Sequence, residues 1–153
     1  MDRSARGYPS AMTTAATDPS DADLRTVLRS HPGEHDVDLS ALATAVELLG
    51  ECVATCRACA DACLDEGMVA DLVACIRSDL TCADVCATTA AVLVRRPTDP
   101  GLVRSLVEAC IAACGACATE CERHAGMHEH CRACAEVCRR CERACRDLLA
   151  ALG

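Results

Sequence analysis

The pattern that most constrains this chain is a set of cysteines placed at helical spacing in four successive segments. Cys52, Cys56, Cys59 and Cys63 read C-x3-C-x2-C-x3-C, and Cys110, Cys114, Cys117 and Cys121 repeat that spacing 58 residues later. At 100° per residue, each set lies in a stripe about 60° wide on one helix face. Cys75, Cys82 and Cys86 are matched 59 residues on by Cys134, Cys141 and Cys145. Cys131 and Cys138 fill out that last stripe, whose five thiols span about 80°. The chain is therefore a duplicated two-helix unit. Its second and fourth members are related less closely than its first and third, because the second stripe skips a turn where Ser78 and Asp79 stand.

Punctuation residues cut the region into helices of similar length. From Asp38 onward the good helix formers Ala, Leu, Glu and Arg dominate, broken at Gly67, at Pro97 to Gly101 and at Gly126. The expected helical segments are Asp38–Glu66, Met68–Arg96, Asp99–Ala125 and Met127–Leu152. Asp99 followed by Pro100 is a helix-start signal, with a capping carboxylate and a proline in the first turn. Short connections make sequential helices antiparallel neighbours. The expected fold is all-α, an up-down-up-down four-helix bundle with a cysteine-lined core over residues 38–153. Residues 1–37 are a polar extension, expected to be flexible apart from a short helix within Asp21–Ser30 that His31-Pro32-Gly33 ends. His31 and His35 in this lead read as solvated residues rather than ligands.

Composition narrows both the core and the function. The 153 residues include 16 Cys, one Tyr and neither Phe nor Trp, and all 15 basic residues are Arg. A core without aromatic anchors must be built from Ala, Val, Leu and Cys. A net charge of −8 argues against nucleic acid, which attracts basic faces, and there is no aromatic platform for single strands. Residues 1–20 carry no apolar export segment, and no run of eighteen uncharged apolar residues occurs, so the expectation is a cytosolic chain with reduced thiols and no membrane span.

Four inward stripes put 16 thiols along one axis. Cysteine as a plain small hydrophobe would explain one or two of these, not a register. Disulfides between residues three or four apart on a helix suit the S–S dihedral poorly. Thioredoxin-like chemistry needs one C-x-x-C at a helix N-terminus beside a sheet, haem attachment needs His after C-x-x-C, and neither context is present. The iron–sulfur spacing is absent as well. Metal storage remains, and thiolate softness selects Cu(I) or Zn²⁺. Zinc in isolated tetrathiolate sites would use the thiolates for about four ions and leave the core near −8. Cu(I) at about one ion per bridging thiolate leaves it neutral. A zinc-thiolate buffer or metal sensor stays as the alternative, through bridged zinc clusters.

The two bundle ends differ. The first and third connections share one end, where Met68, His124, Met127, His128 and His130 collect near Asp65 and Glu66. His124 continues the third Cys stripe, and Met127 lies one turn before Cys131. This end reads as an entrance with imidazole and thioether ligands at His124, Met127, His128 and His130. The other end collects Leu42, Val46, Leu49, Val92, Leu93, Leu102, Leu106, Leu148 and Leu149 as an apolar plug. Asp79 reads either as a polar group on the stripe or as a solvent-facing edge residue. Arg132, Arg139, Arg140, Arg143 and Arg146 read as a solvated face pairing with acidic neighbours, or as a subunit contact, rather than as a phosphate site.

Repeated C-x3-C and C-x2-C on every helix, with a His/Met cluster before the fourth, resembles the cysteine-rich four-helix-bundle copper storage proteins of bacteria, in particular their cytosolic branch. The resemblance covers about Asp38 to Leu152. It implies cytoplasmic storage of many Cu(I) ions held mainly by pairs of thiolates, no catalytic turnover, and copper-binding histidines at the mouth, here His124, His128 and His130. The secreted branch relies on Met there, whereas this chain mixes Met127 with His. The resemblance also implies a homotetramer, for which an apolar flank of Leu42, Leu49, Val53 and Ala60 offers a contact. A copper chaperone or efflux partner is left open. The apo chain is expected to be folded already, because neutral thiols pack as small hydrophobes.

Overall fold

The computed structural model describes residues 23–33 and 37–152, which form five α-helices and no strand. We number them α1 (Leu24–Arg29), α2 (Leu39–Leu64), α3 (Val73–Leu93), α4 (Pro100–His124) and α5 (Glu129–Ala151). The first 22 residues, His35 with its two neighbours, and Gly153 lie outside the described residues. Helices α2 to α5 form the expected bundle, each packed on the next, with α5 closing the ring against α2.

Local chemistry sets the helix ends. The Asp38 carboxylate accepts from the N–H groups of Ser40 and Ala41 at 2.8 and 3.2 Å, and Asp99 does the same for Gly101 and Leu102 at 2.9 and 3.2 Å with Pro100 in the first turn. The second segment departs from expectation at both ends. No side chain caps it near Met68, so the chain enters through a 3-10 turn, Val69–Leu72, before α3 begins. It stops at Leu93 rather than Arg96, because the residue before Pro97 is barred from continuing a helix.

The core is one continuous axis. All 16 cysteines are buried, and the axis ends in Leu42, Val46, Leu49, Leu93 and Leu148, which are buried as well. Leu102 does not join that plug. It is 46% exposed, and its place on the axis is taken by Val103 and Val107, which share the stripe spacing of Cys110 and Cys114. Of the apolar flank, Leu42, Leu49 and Ala60 are buried inside this chain, and Val53 is half-buried. The helix within Asp21–Ser30 is α1, capped by Asp23 and laid on α2. It buries Leu28 and ties Arg25 to Thr44 at 3.1 Å and to Glu47 at 2.7 Å.

By length and composition α2 and α4 are apolar enough to cross a bilayer, although neither holds eighteen uncharged apolar residues in a row. Much of that apolarity is thiol and alanine. The stripes that carry it face the other helices on the bundle axis, as in the core helix of a helical bundle.

Candidate metal centre

Each stripe delivers its thiols to the axis at the rise of the helix, and four antiparallel helices interleave them. Neighbouring Sγ atoms lie 3.5 to 4.0 Å apart in one group around Cys52 and another around Cys75, and the Asp79 carboxyl links the two. Cys86 to Cys114, Cys56 to Cys138 and Cys75 to Cys121 are each 3.5 Å apart, while Cys52 to Cys114 and Cys75 to Cys131 are each 4.0 Å apart. All 16 are free thiols. Several sets of four place their ligand atoms within 4.8 Å of one another: Cys52, Cys56, Cys82 and Cys138; Cys52, Cys86, Cys114 and Cys141; Cys56, Cys117, Cys134 and Cys138; Cys59, Cys63, Cys75 and Cys131. Cys52, Cys56 and Cys138 each belong to two of these sets. The geometry is thus a ladder with shared rungs, and sharing a thiol between sets is what a bridging thiolate requires.

Asp79 is fully buried, which removes the solvent-edge reading. It takes the position in α3 where the stripe lacks a cysteine. Its Oδ1 accepts from the thiols of Cys117, Cys121 and Cys134 at 3.0, 3.3 and 3.4 Å, and its Oδ2 accepts from Cys75 at 3.8 Å. With Cys59, Cys121 and Cys134 it forms a further four-ligand set. Burial pushes its carboxyl up to about 9, so near neutrality the group is the uncharged acid. Thr89, one turn beyond Cys86, ends the α3 stripe as a buried hydroxyl donating to the Leu106 carbonyl at 3.5 Å.

At the end formed by the α2–α3 and α4–α5 connections, His130 alone among the candidate histidines touches thiols. Its Nδ1 lies 3.5 Å from both Cys59 and Cys131 and 4.0 Å from Cys63. One oxygen of Glu66 holds this ring and its neighbour together, 3.3 Å from His130 Nε2 and 2.9 Å from His128 Nδ1, with ring centroids 5.4 Å apart. Burial lowers the pKa of His130, but Cys59 and Glu66 outweigh it and the net direction is up; the two imidazoles hold Glu66 low, His130 more than His128. Burial pushes the Cys63 thiol up to about 11 and raises Cys131 as well. His124 is buried against Glu120, 3.3 Å away, rather than against a thiol. Met127 and Met68 are 76% and 67% exposed. His31 is exposed, with its Nδ1 accepting from the Gly33 N–H at 3.1 Å.

Glu66 and Glu120, which the spacing of Cys and His does not single out, are therefore the groups that fix the imidazoles. Glu120 lies four residues before His124 on one helix face, while the antiparallel arrangement brings Glu66 to the histidine end without showing that its carboxylate pairs with His128 and His130. Four of the five named arginines of α5, Arg132, Arg139, Arg140 and Arg146, pair with carboxylates. Arg139 binds Glu122 at 2.9 Å and Glu142 at 3.1 Å, Arg146 binds Glu142 at 2.7 Å, and Arg140 reaches Glu51 on α2.

Three comparisons place this arrangement. Streptomyces lividans Ccsp, a copper storage protein solved with 10 copper equivalents, is 52% identical, with a TM-score of 0.83 over 84% of this chain and 99% of that one. A variant of that protein with two histidines replaced by alanine is 54% identical, with a TM-score of 0.73 over 76% of this chain and 99% of that one. An uncharacterized cysteine-rich protein of Bacillus subtilis, YhjQ, is 36% identical over 69% of this chain and 93% of its own length. The family model described as copper storage protein matches residues 39–150, the span that carries every cysteine stripe. The chain belongs to the copper storage protein family.

Proposed function

We propose that this chain stores Cu(I) in the cytoplasm, without catalytic turnover, by filling its thiol axis with bridged cuprous thiolates. The observation that carries this reading is the sharing of Cys52, Cys56 and Cys138 between four-thiol sets. At each position Cu⁺ replaces a proton, Cys–SH + Cu⁺ giving Cys–S–Cu + H⁺, so the buried axis gains no charge as it fills. The same sets of four thiols have the ligand number of a zinc site, and three of them can be drawn without a shared cysteine. Each such zinc site would leave two negative charges in the core, which disfavours zinc there.

His130, held by Glu66 and touching Cys59 and Cys131, is the entry ligand, with His128 behind the same carboxylate. His124 and Met127 flank that mouth. A homotetramer would cover the exposed apolar side chains Leu64, Met68, Val69, Val73 and Leu80, which run from the α2 end onto α3. The description of the Streptomyces lividans relative as a cytosolic copper storage protein supports the cytoplasmic reading.

The test is an anaerobic titration of the reduced, metal-free chain against a competing chelator, first with Cu(I) and then with Zn²⁺. Uptake of roughly one Cu(I) or more per thiol, with bound zinc readily displaced, is expected. Saturation at about three or four ions with zinc preferred would replace storage with isolated tetrathiolate sites.

A further inference from the structure

At the end of the bundle opposite the histidines, a cavity of about 320 Å³ opens between the α3–α4 connection and the last turn of α5. Leu42, Leu93, Val103 and Leu148 line it together with Thr98 and Arg96. Arg96 is 7% exposed, and it carries a planar, cationic guanidinium. Its Nη1 makes one long contact, 3.5 Å to the Leu28 carbonyl, while its buried Nε–H has no partner at all. Among the described residues no carboxylate pairs with it. Asp38 and Asp99, which flank the pocket in sequence, spend their oxygens on the first N–H groups of α2 and α4. The backbone is also unusual there: Arg96 has φ +51°, a left-handed conformation that a side chain adopts at a cost, directly before a proline.

A cation with no carboxylate partner among the described residues, set in an apolar pocket, is a costly arrangement that nothing in metal storage uses, since the pocket lies beyond the plug from the mouth. We propose that the cavity binds a small amphiphilic monocarboxylate, its carboxylate on the Arg96 fork and its aliphatic tail along Leu42, Leu93, Val103 and Leu148. The fork offers Nε–H and an Nη–H to two oxygens at once, which a carboxylate matches. A single cation balances one negative charge and would leave a dianion in excess. The volume lies at the low end of small-molecule pockets, roughly 300–1,000 Å³, and selects a short chain over a long lipid.

Octanoate is the probe, titrated calorimetrically into the reduced, metal-free full chain, with octylammonium as the cation of equal tail length. Saturable one-to-one octanoate binding without octylammonium binding is expected. Arg96→Gly keeps the left-handed backbone free of strain while removing the guanidinium, and should weaken octanoate by about tenfold or more, the loss typical of a charge-assisted hydrogen bond. Its fold is checked by helical circular dichroism. No octanoate binding to the wild-type chain, equal binding of octylammonium, or undiminished binding to folded Arg96→Gly would each overturn the proposal. The comparison of the two probes on the wild-type chain decides the matter even if the variant does not fold.

Discussion

Replacing Asp79 by Asn should make the apo protein more stable at neutral pH and remove most of its sensitivity to pH between 5 and 7.5. Asp79 is buried among thiols, and its carboxyl is pushed up to about 9, whereas an unfolded Asp titrates near 3.9. Between these values the folded chain keeps a proton that the unfolded chain releases. The unfolded state therefore binds fewer protons, and unfolding free energy falls as pH rises, by about 1.4 kcal/mol per pH unit. The stabilising contribution is complete below about pH 4 and is lost as pH climbs towards 9. The interval from 5 to 7.5 lies inside that window by more than a unit at each side, so the full slope applies and the loss is about 3 kcal/mol. Asn has the same shape, keeps a carbonyl oxygen for Cys117, Cys121 and Cys134, and titrates in neither state. The assay is urea unfolding of reduced, metal-free wild type and Asp79→Asn at pH 5 and 7.5, followed by helical circular dichroism. Histidine contributions are common to both chains and cancel in the difference. Equal pH slopes for the two chains would refute the reasoning, since Asp79 would then be ionised in the fold.

Two further outcomes follow from the same structure. Glu66→Gln, which weakens the hold on His128 and His130, and His130→Ala, which removes the one histidine against a thiol among the described residues, should each slow Cu(I) uptake by about tenfold or more. Stopped-flow loading reads the rate and an end-point titration the capacity, which should stay unchanged; an unchanged rate in both variants would remove the entry role. Adjacent residues of α2 should respond in opposite directions: Leu49→Ala, fully buried in the plug, should cost about 2–5 kcal/mol, while Gly50→Ala, exposed with open space around a new Cβ, should gain up to about 1 kcal/mol. Thermal unfolding of both variants checks the signs.

The bundle and its thiol axis were legible because helical spacing is a one-dimensional signal: Cys52 and Cys63 share a face whatever packs against them. The residues that finish the site are of another kind. Asp79 is readable as a stripe position, but whether that position faces water or thiols depends on how α3 rotates against α4 and α5. Glu66 reaches His128 and His130 across more than 60 residues of chain, a pairing that exists only after two connections meet at one end. Leu102 is apolar and near the plugged end, yet one residue on a helix is 100° of rotation, and Val103 holds the inward place. Arg96 carries no local signal beyond preceding Pro97; its burial follows from α1 and the α3–α4 connection closing over it.

Those pieces explain how one core can be both a folded interior and an empty store. A protonated thiol is a small apolar group, so the apo axis packs as an ordinary hydrophobic core and the helices need no metal to assemble. Asp79 fits the same rule, since as a neutral acid it accepts from three thiols without placing a charge among them. Loading exchanges one proton for one monovalent ion at each step, so no intermediate filling state carries the charge that a divalent ion in separate tetrathiolates would impose. A core that stays neutral at every filling level has no electrostatic reason to stop at a particular number of ions. Capacity is then set by the number of shared thiols along the axis, and the plug of Leu49, Leu93 and Leu148 sets where the axis ends.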